Sequence, residues 1–104
     1  MHIHTVFFWL LDDVDNAGRE AFENGLDRLT HESHVLDRDI GKPATTDRDV
    51  VDSTYDYAII LRFENIAGHN AYQISTQHQE FLDTCFAMIN RVLVYDIEPD
   101  LPAD

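Results

Sequence analysis

The sequence is 104 residues long and carries 20 acidic residues against 7 lysines and arginines, which gives a formal net charge of −13. A chain of this length forms one domain and buries only about 60 to 70% of its unfolded surface, so association with a second copy would stabilise it. The negative charge repels phosphate backbones and anionic lipid surfaces, and we therefore expect neither nucleic acid nor a membrane as partner.

The cysteine content and the amino terminus indicate a reducing compartment. Cys85 is the only cysteine, so an internal disulfide is excluded. The first residues lack the basic segment and the long apolar run of a secretion signal. We therefore expect a cytoplasmic location.

The first predicted elements are a buried strand and a helix. His2 to Leu11 (HIHTVFFWLL) is almost continuously apolar after its histidines, which is typical of a central strand. Asp15 or Asn16 caps the helix that follows, because either side chain accepts amide hydrogens of the first turn. Its apolar positions recur at helical spacing: Phe22, Gly25, Leu26 and Leu29.

The middle of the chain predicts an edge strand, a long connection and a second central strand. Val35 to Gly41 alternates poorly and carries three charges, as edge strands often do. Lys42 to Thr54 is polar and long, which is typical of a surface loop or of a lid. Tyr55 to Phe63 alternates, so that one face holds Tyr57, Ile59, Leu61 and Phe63.

Two helices and a strand complete the domain. Asn65 caps a helix over 66 to 74, whose apolar stripe is Ala67, Ala71 and Ile74. Tyr72, about 100° from Ala71, then faces the edge of a pocket or solvent. Thr76 and Gln79 form a capping box that starts the next helix. The inward face of that helix is predicted to hold His78, Phe81, Leu82, Cys85, Phe86 and Ile89.

The element order predicts an α+β fold of the ferredoxin-like type. After a last strand over 91 to 97, the order is β-α-β-β-α-α-β, with an antiparallel four-stranded sheet and all helices on one face. Both faces of the first strand are too apolar to be exposed to solvent. Phe7 and Trp9 lie on the face away from the helices. We therefore expect a homodimer in which two sheets pair into an α/β barrel.

The sequence resembles the stress-responsive dimeric α/β-barrel (Dabb) family over residues 2 to 97. The resemblance rests on HTVFFWL from His4, on FENGLDRL, on YAIILRFEN, on YQISTQHQEF and on Val94-Tyr95-Asp96. It implies a Dabb domain over 1 to 98, an acidic tail over 99 to 104, and a pocket between sheet and helices. Most members of the family lack an assigned reaction.

The resemblance extends to plant polyketide cyclases of this family, which close an aromatic ring without metal or organic cofactor. It implies that Tyr72 and His78 are catalytic and that no cofactor is needed. Tyr57 stands where those cyclases have another histidine, which is a departure from their pattern. We expect the ligand to contact His4, Val6, Phe8, Phe22, Tyr57, Ile59, Phe81, Val92 and Val94.

The position of His78 supports catalysis independently of the resemblance. A histidine in the first turn of a helix feels the positive end of the helix dipole and stays neutral, as a general base requires. A core histidine that bonds a backbone group is an equally ordinary interpretation. Two classes of function stay open: a cofactor-independent lyase or cyclase-like enzyme for a small apolar or aromatic carbonyl compound, and a non-catalytic dimer that binds a small molecule or a protein during stress.

The other histidines and the cysteine predict little chemistry. His2 and His4 share one strand face in a spacing that some metal sites use, with His78 as a third ligand. No carboxylate or cysteine completes a recognisable set, so we predict no metal. Cys85 is expected to be a core residue without a nearby base. We predict that the remaining histidines are solvated: His31, His34 and His69.

Overall fold

The computed structural model describes residues 1–100 and has the predicted element order. The predicted α+β, ferredoxin-like fold is confirmed, with an antiparallel sheet in which the strands, counted along the chain, lie in the order second, third, first, fourth. Residues 101–104, the end of the predicted acidic tail, lie outside the described residues. The elements are β1 (His2–Leu10), α1 (Asn16–Leu29), β2 (Asp37–Gly41), β3 (Tyr57–Phe63), α2 (Ile66–Gln73), α3 (Thr76–Cys85), a 3₁₀ turn (Phe86–Met88) and β4 (Ile89–Ile97).

The two central strands, β1 and β3, bury one face under the helices. Both alternate strictly between buried and half-buried residues, because successive side chains of a strand point to opposite faces. The register pairs Val6 with Ile59 and Phe8 with Tyr57, so the buried positions of the two strands coincide. The core is the apolar layer between this face and the helices.

Helix α1 follows the sequence prediction closely. Asp15 is its N-cap and accepts a hydrogen bond from the Gly18 amide at 2.8 Å. Gly25 allows a close approach to α3, since a Cβ at this position would lie 2.5 Å from Cys85 Sγ. Its buried residues are those of the predicted apolar face: Phe22, Gly25, Leu26 and Leu29.

Two predictions about α2 and its neighbouring cap are wrong. The buried residues of α2 are His69 and Tyr72, whereas Ile74, assigned to the apolar stripe, is 88% exposed. The predicted stripe fails because this short helix turns an imidazole and a phenol toward other aromatic rings and Asp96. The N-cap of α3 is Ser75 and not Thr76, since Ser75 Oγ accepts the His78 amide at 3.1 Å.

The end of α3 also differs from the prediction. The helix stops at Cys85, and a 3₁₀ turn leads directly into β4, which begins at Ile89 and not at Arg91. Phe86 and Ile89 therefore lie beyond the helix that was predicted to hold them, and Phe86 is 64% exposed. Both residues line the pocket described below.

No helix of the described residues covers the second face of the sheet. Phe7 lies near its centre, with the ring of Tyr95 at 6.5 Å and that of Tyr55 at 5.1 Å. Trp9 donates to Thr54 Oγ1 at 2.9 Å, and the Arg91 guanidinium lies 4.4 Å from its ring centroid. Within residues 1–100, no helix combines the length and the apolarity needed to cross a membrane.

Candidate functional site

A pocket of about 210 Å³ opens between the helix-covered face of the sheet and the helices α2 and α3. The long loop over 42 to 56 contributes no residue to its lining, so the loop does not cover this pocket. Predicted site residues that line it are His4, Val6, Phe8, Ile59, Tyr72, His78, Phe81, Val92 and Val94. Residues that were not predicted to line it are Leu29, Gln73, Leu82, Phe86 and Ile89.

Two predicted ligand contacts, Phe22 and Tyr57, lie in the core and not in the pocket lining. The ring of Phe22 is in edge contact with Phe8 and Phe81, which do line the pocket. The Tyr57 hydroxyl donates a hydrogen bond to Glu23 Oε2 at 2.5 Å. Phe22 therefore supports the pocket wall from behind, and Tyr57 is paired with the lining residue Phe8 on the neighbouring strand.

Tyr72 and His78 meet at the polar end of the pocket. Their ring centroids are 5.4 Å apart and the ring planes are nearly perpendicular, at 85°. Tyr72 is 1% exposed, whereas His78 is half-buried. Ser75 joins the two backbones, because its hydroxyl donates to the Tyr72 carbonyl at 2.8 Å and accepts from the His78 amide at 3.1 Å.

The electrostatic surroundings keep both groups neutral near pH 7. Burial lowers the pKa of His78 below its ordinary value of 6.5, and the charges of His4 and His69 lower it further. Burial also raises the pKa of the Tyr72 phenol well above its usual range, with a further contribution from the carboxylate of Glu32. The site thus presents an unprotonated imidazole beside a protonated phenol.

A second group of polar side chains lies at the end of β1, and the sequence indicated only two of its members, His2 and His4. His2, His4, His69 and Asp96 each offer one ligand atom, and these atoms all lie within 4.8 Å of one another. The prediction that His69 is solvated is wrong, because it is 7% exposed. The third histidine beside His2 and His4 is therefore His69 and not His78.

Asp96 is the centre of this group of four residues, which we call the His-Asp cluster. Its Oδ1 lies 2.6 Å from His4 Nδ1, 3.0 Å from His2 Nε2 and 3.8 Å from His69 Nε2. Burial alone would raise the pKa of Asp96, but hydrogen bonds from His4 and His2 outweigh it and hold the pKa below its usual value. Burial lowers the pKa of His4, and the bond to Asp96 opposes that shift only in part.

Strand alternation could have revealed the carboxylate. Asp96 follows Val92 and Val94 at a spacing of two, so it shares their face of β4. The observed register then sets it directly opposite His4. His69 had no comparable signal, because the face of α2 that meets the sheet was itself mispredicted.

The fold and the pocket define a ferredoxin-like α+β protein with a small, mainly apolar pocket between sheet and helices. The family model described as the stress-responsive A/B barrel domain (Dabb) matches residues 3–99. The chain therefore belongs to the Dabb family, as its sequence motifs suggested. No curated protein shows significant similarity to it.

Solved structures share this fold at low sequence identity. A protein of Arabidopsis thaliana is 19% identical, with a TM-score of 0.80 and coverage of 99% of both chains. A dimeric ferredoxin-like protein of unknown function from Thermobifida fusca is 20% identical, with a TM-score of 0.75 over 92% of this chain and 88% of its own. A hydroxynitrile lyase from Passiflora edulis is 18% identical, with a TM-score of 0.75 over 97% of this chain and 96% of its own.

Proposed function

We propose that this protein is a cofactor-independent enzyme of the lyase or cyclase type, which moves a proton on a small carbonyl compound or its adduct. His78 is the general base, and the Tyr72 hydroxyl donates a hydrogen bond to the oxygen that gains negative charge. The observation that carries the proposal is the pairing of these two groups, both neutral, in one apolar pocket.

The availability of His78 supports its role as a base. Among residues 1–100, the backbone amide of His78 donates to Ser75 Oγ, and neither nitrogen of the imidazole ring has a hydrogen-bond partner. Both ring nitrogens are therefore left for a ligand. A structural histidine in a half-buried position would be expected to hold a backbone or side-chain partner with its ring. The lowered pKa of His78 keeps the lone pair of one nitrogen available at neutral pH.

The size and the lining of the pocket limit the substrate. At about 210 Å³ the pocket is smaller than the roughly 300 to 1,000 Å³ that drug-sized ligands occupy. Its walls are mostly aliphatic and aromatic, with Gln73 adding an amide to the lining. A compact molecule with one apolar ring or chain and one carbonyl, or the hydroxyl of a carbonyl adduct, fits this lining.

The similarity in fold to a hydroxynitrile lyase agrees with the proposed chemistry. In a hydroxynitrile, a base removes the hydroxyl proton, the carbon–oxygen double bond forms, and the carbon–carbon bond to the nitrile breaks with release of cyanide. In a ring closure, the same base removes a proton from carbon next to a carbonyl. Both reactions need an unprotonated base and a donor to an oxygen, and neither requires a redox group.

We also propose that the working form is a homodimer in which the helix-free faces of two sheets meet. Apolar side chains on this face support it, among them Tyr95, 57% exposed, and Ile97, 47% exposed. Similar structures described as dimeric ferredoxin-like proteins provide further support.

The proposed reaction can be tested without knowledge of the natural substrate. Exchange of α-hydrogen for deuterium in small aromatic ketones is followed by NMR in D₂O, and aldehyde release from aromatic hydroxynitriles is followed by absorbance. We expect His78→Gln, which cannot act as a base, to reduce the active reaction about 100-fold to 10,000-fold. His31→Gln, on an exposed histidine, is the matched control and should leave the rate unchanged. A wild type that catalyses neither reaction, or a His78→Gln variant as fast as wild type, would refute the proposal.

A further inference from the structure

The His-Asp cluster joins three elements that are distant in sequence. His2 and His4 belong to β1, His69 to α2 and Asp96 to β4. All three histidines are more than nine-tenths buried, whereas the side chain of Asp96 is 41% exposed. Burial of three imidazoles around one carboxylate oxygen has to be explained, because each buried ring nitrogen requires a hydrogen-bond partner or a ligand.

One nitrogen of His69 has no partner. Among residues 1–100, His69 Nε2 is a buried polar atom without any hydrogen bond, and its distance of 3.8 Å from Asp96 Oδ1 is too long for one. The other ring nitrogen, Nδ1, lies 3.0 Å from Asn70 Oδ1. An amide oxygen only accepts, so Nδ1 carries a proton, and in the neutral imidazole Nε2 then directs its lone pair toward the carboxylate.

A lone pair of His69 and a carboxylate oxygen that face each other across 3.8 Å form an arrangement that a bound cation would satisfy. The hydrogen bond from Nδ1 to Asn70 is the arrangement that metal-binding histidines use to fix their tautomer and orientation. We propose that the His-Asp cluster binds a divalent transition-metal ion of the zinc type. The ligand atoms are His2 Nε2, His4 Nδ1, His69 Nε2 and Asp96 Oδ1.

The observed distances suit such an ion. Bonds of 2.0 to 2.1 Å in a tetrahedron separate the ligand atoms by about 3.3 Å. The three distances to Asp96 Oδ1 are 2.6, 3.0 and 3.8 Å, which bracket that value, and all four ligand atoms lie within 4.8 Å of one another, so the side chains must close up around the ion. Binding also replaces the hydrogen bonds to Asp96, so His2 Nε2 and His4 Nδ1 must give up the protons that they donate there. Imidazole nitrogen with one carboxylate oxygen is a donor set for zinc and its neighbours and not for magnesium or calcium.

The arrangement indicates a structural site. Four protein ligands complete a tetrahedral zinc site, whereas catalytic sites usually keep one position for water. The side chain of Asp96 is 41% exposed, so the cluster meets solvent at this residue. A bound ion would fix the short helix α2 and the edge strand β4 to β1, and would therefore stabilise the polar end of the neighbouring pocket.

Calorimetric titration of the metal-free, full-length protein with ZnCl₂ tests the proposal. We expect one zinc ion per chain and a higher melting temperature with zinc present, since an ion that binds only the folded state stabilises it. Asp96→Asn keeps the shape of the ligand and should weaken binding by more than the tenfold to hundredfold loss typical of an outer-shell change. His31→Gln, outside the cluster, should bind zinc as wild type does.

Two further measurements distinguish a specific site from weak surface binding. Cobalt(II) in place of zinc should give the intense visible absorption of a tetrahedral site in wild type and lose it in Asp96→Asn. His69→Gln, a second ligand variant, should lose zinc affinity in the same way, while millimolar Mg²⁺ should not compete. Zinc affinity equal in wild type and Asp96→Asn, an equal loss in His31→Gln, or displacement by Mg²⁺ would overturn the proposal. None of these measurements depends on enzymatic activity, so the result is independent of the proposed reaction.

Discussion

The ring of His78 stands edge-on to the ring of Tyr72, with 5.4 Å between centroids and 85° between planes. The two residues belong to different helices, and Ser75 between them is bonded to the backbones of both. This short connection fixes the relative position of the proposed base and the proposed hydrogen-bond donor with very little flexible chain. The rate should therefore depend on both side chains, and both the rate and the stability should depend on the serine between them.

Replacement of His78 by leucine should leave the free energy of unfolding unchanged or raise it. The imidazole ring has no hydrogen-bond partner among residues 1–100, so its removal leaves no orphaned group, and leucine suits the apolar wall. Thermal and denaturant unfolding of wild type and variant measure the effect. A loss of about 1 to 3 kcal/mol would instead identify a structural histidine.

The advantage of the leucine variant should grow in acid. Burial lowers the pKa of His78 in the folded state, whereas the unfolded chain protonates at its ordinary value of 6.5. The unfolded state therefore binds more protons as pH falls below 6.5, and wild type loses stability until the folded pKa is passed. Melting temperatures of both proteins, measured at intervals from neutral to mildly acidic pH, should diverge toward low pH. Parallel curves would show that His78 does not titrate with a lowered pKa.

Activity should follow the same titration. A general base works only in its unprotonated form, so kcat/KM of the wild type should be level near neutral pH and fall in acid through a pKa below 6.5. The pH dependence of kcat/KM with the active compound measures this pKa directly. A fall of kcat/KM with a midpoint above pH 6.5 would contradict the lowered pKa of His78. The residual activity of His78→Gln should not show this fall in acid.

Ser75 is a positioning residue in this arrangement. Ser75→Ala removes both bonds and the cap of α3, which should cost about 0.5 to 2 kcal/mol of stability. Because the cap also fixes the position of His78, we expect Ser75→Ala to lower kcat by a larger factor than it raises KM. Ser75→Thr retains the hydroxyl and should restore both stability and kcat. Equal kcat in wild type and Ser75→Ala would show that Ser75 caps α3 but does not position His78 for the reaction.

The central strands could be predicted from the sequence, because burial of one face of the sheet sets the alternation of residue types along each strand. β1 and β3 are central, and Phe8 and Tyr57 pair as their apolar patterns require. The choice of Tyr72 came from the family resemblance, since it has no periodic signal of its own, whereas the helical spacing alone placed His78 on the inward face. The His-Asp cluster depends on tertiary contacts between β1, α2 and β4, which local patterns do not contain.

The boundary between α2 and α3 shows the limit of local rules. Ser75 and Thr76 are both good caps, and the capping-box pattern favoured Thr76. The structure uses Ser75, whose hydroxyl also bonds the last turn of α2. These two hydrogen bonds of Ser75 depend on how α2 and α3 meet, which the sequence of neither helix specifies.

The helix-free face of the sheet should hold the dimer together. Tyr95 is 57% exposed and contacts Phe7, so Tyr95→Glu places a charge on this face without disturbing the core of the subunit. A carboxylate without a partner costs several kcal/mol when it is buried at an interface, which should dissociate the dimer at micromolar concentration. Sedimentation equilibrium measures the mass directly.

Ile74→Glu is the matched control for this change, since Ile74 is an 88% exposed apolar residue on the helix side. It introduces the same charge and should leave the dimer intact. If wild type sediments as a monomer at micromolar concentration, the face has another occupant or none, and the proposed pairing of two sheets is wrong. If Ile74→Glu dissociates the dimer and Tyr95→Glu does not, the contact lies on the helices. Dissociation by Tyr95→Glu alone places the interface on the sheet, where pairing of the two apolar faces requires it.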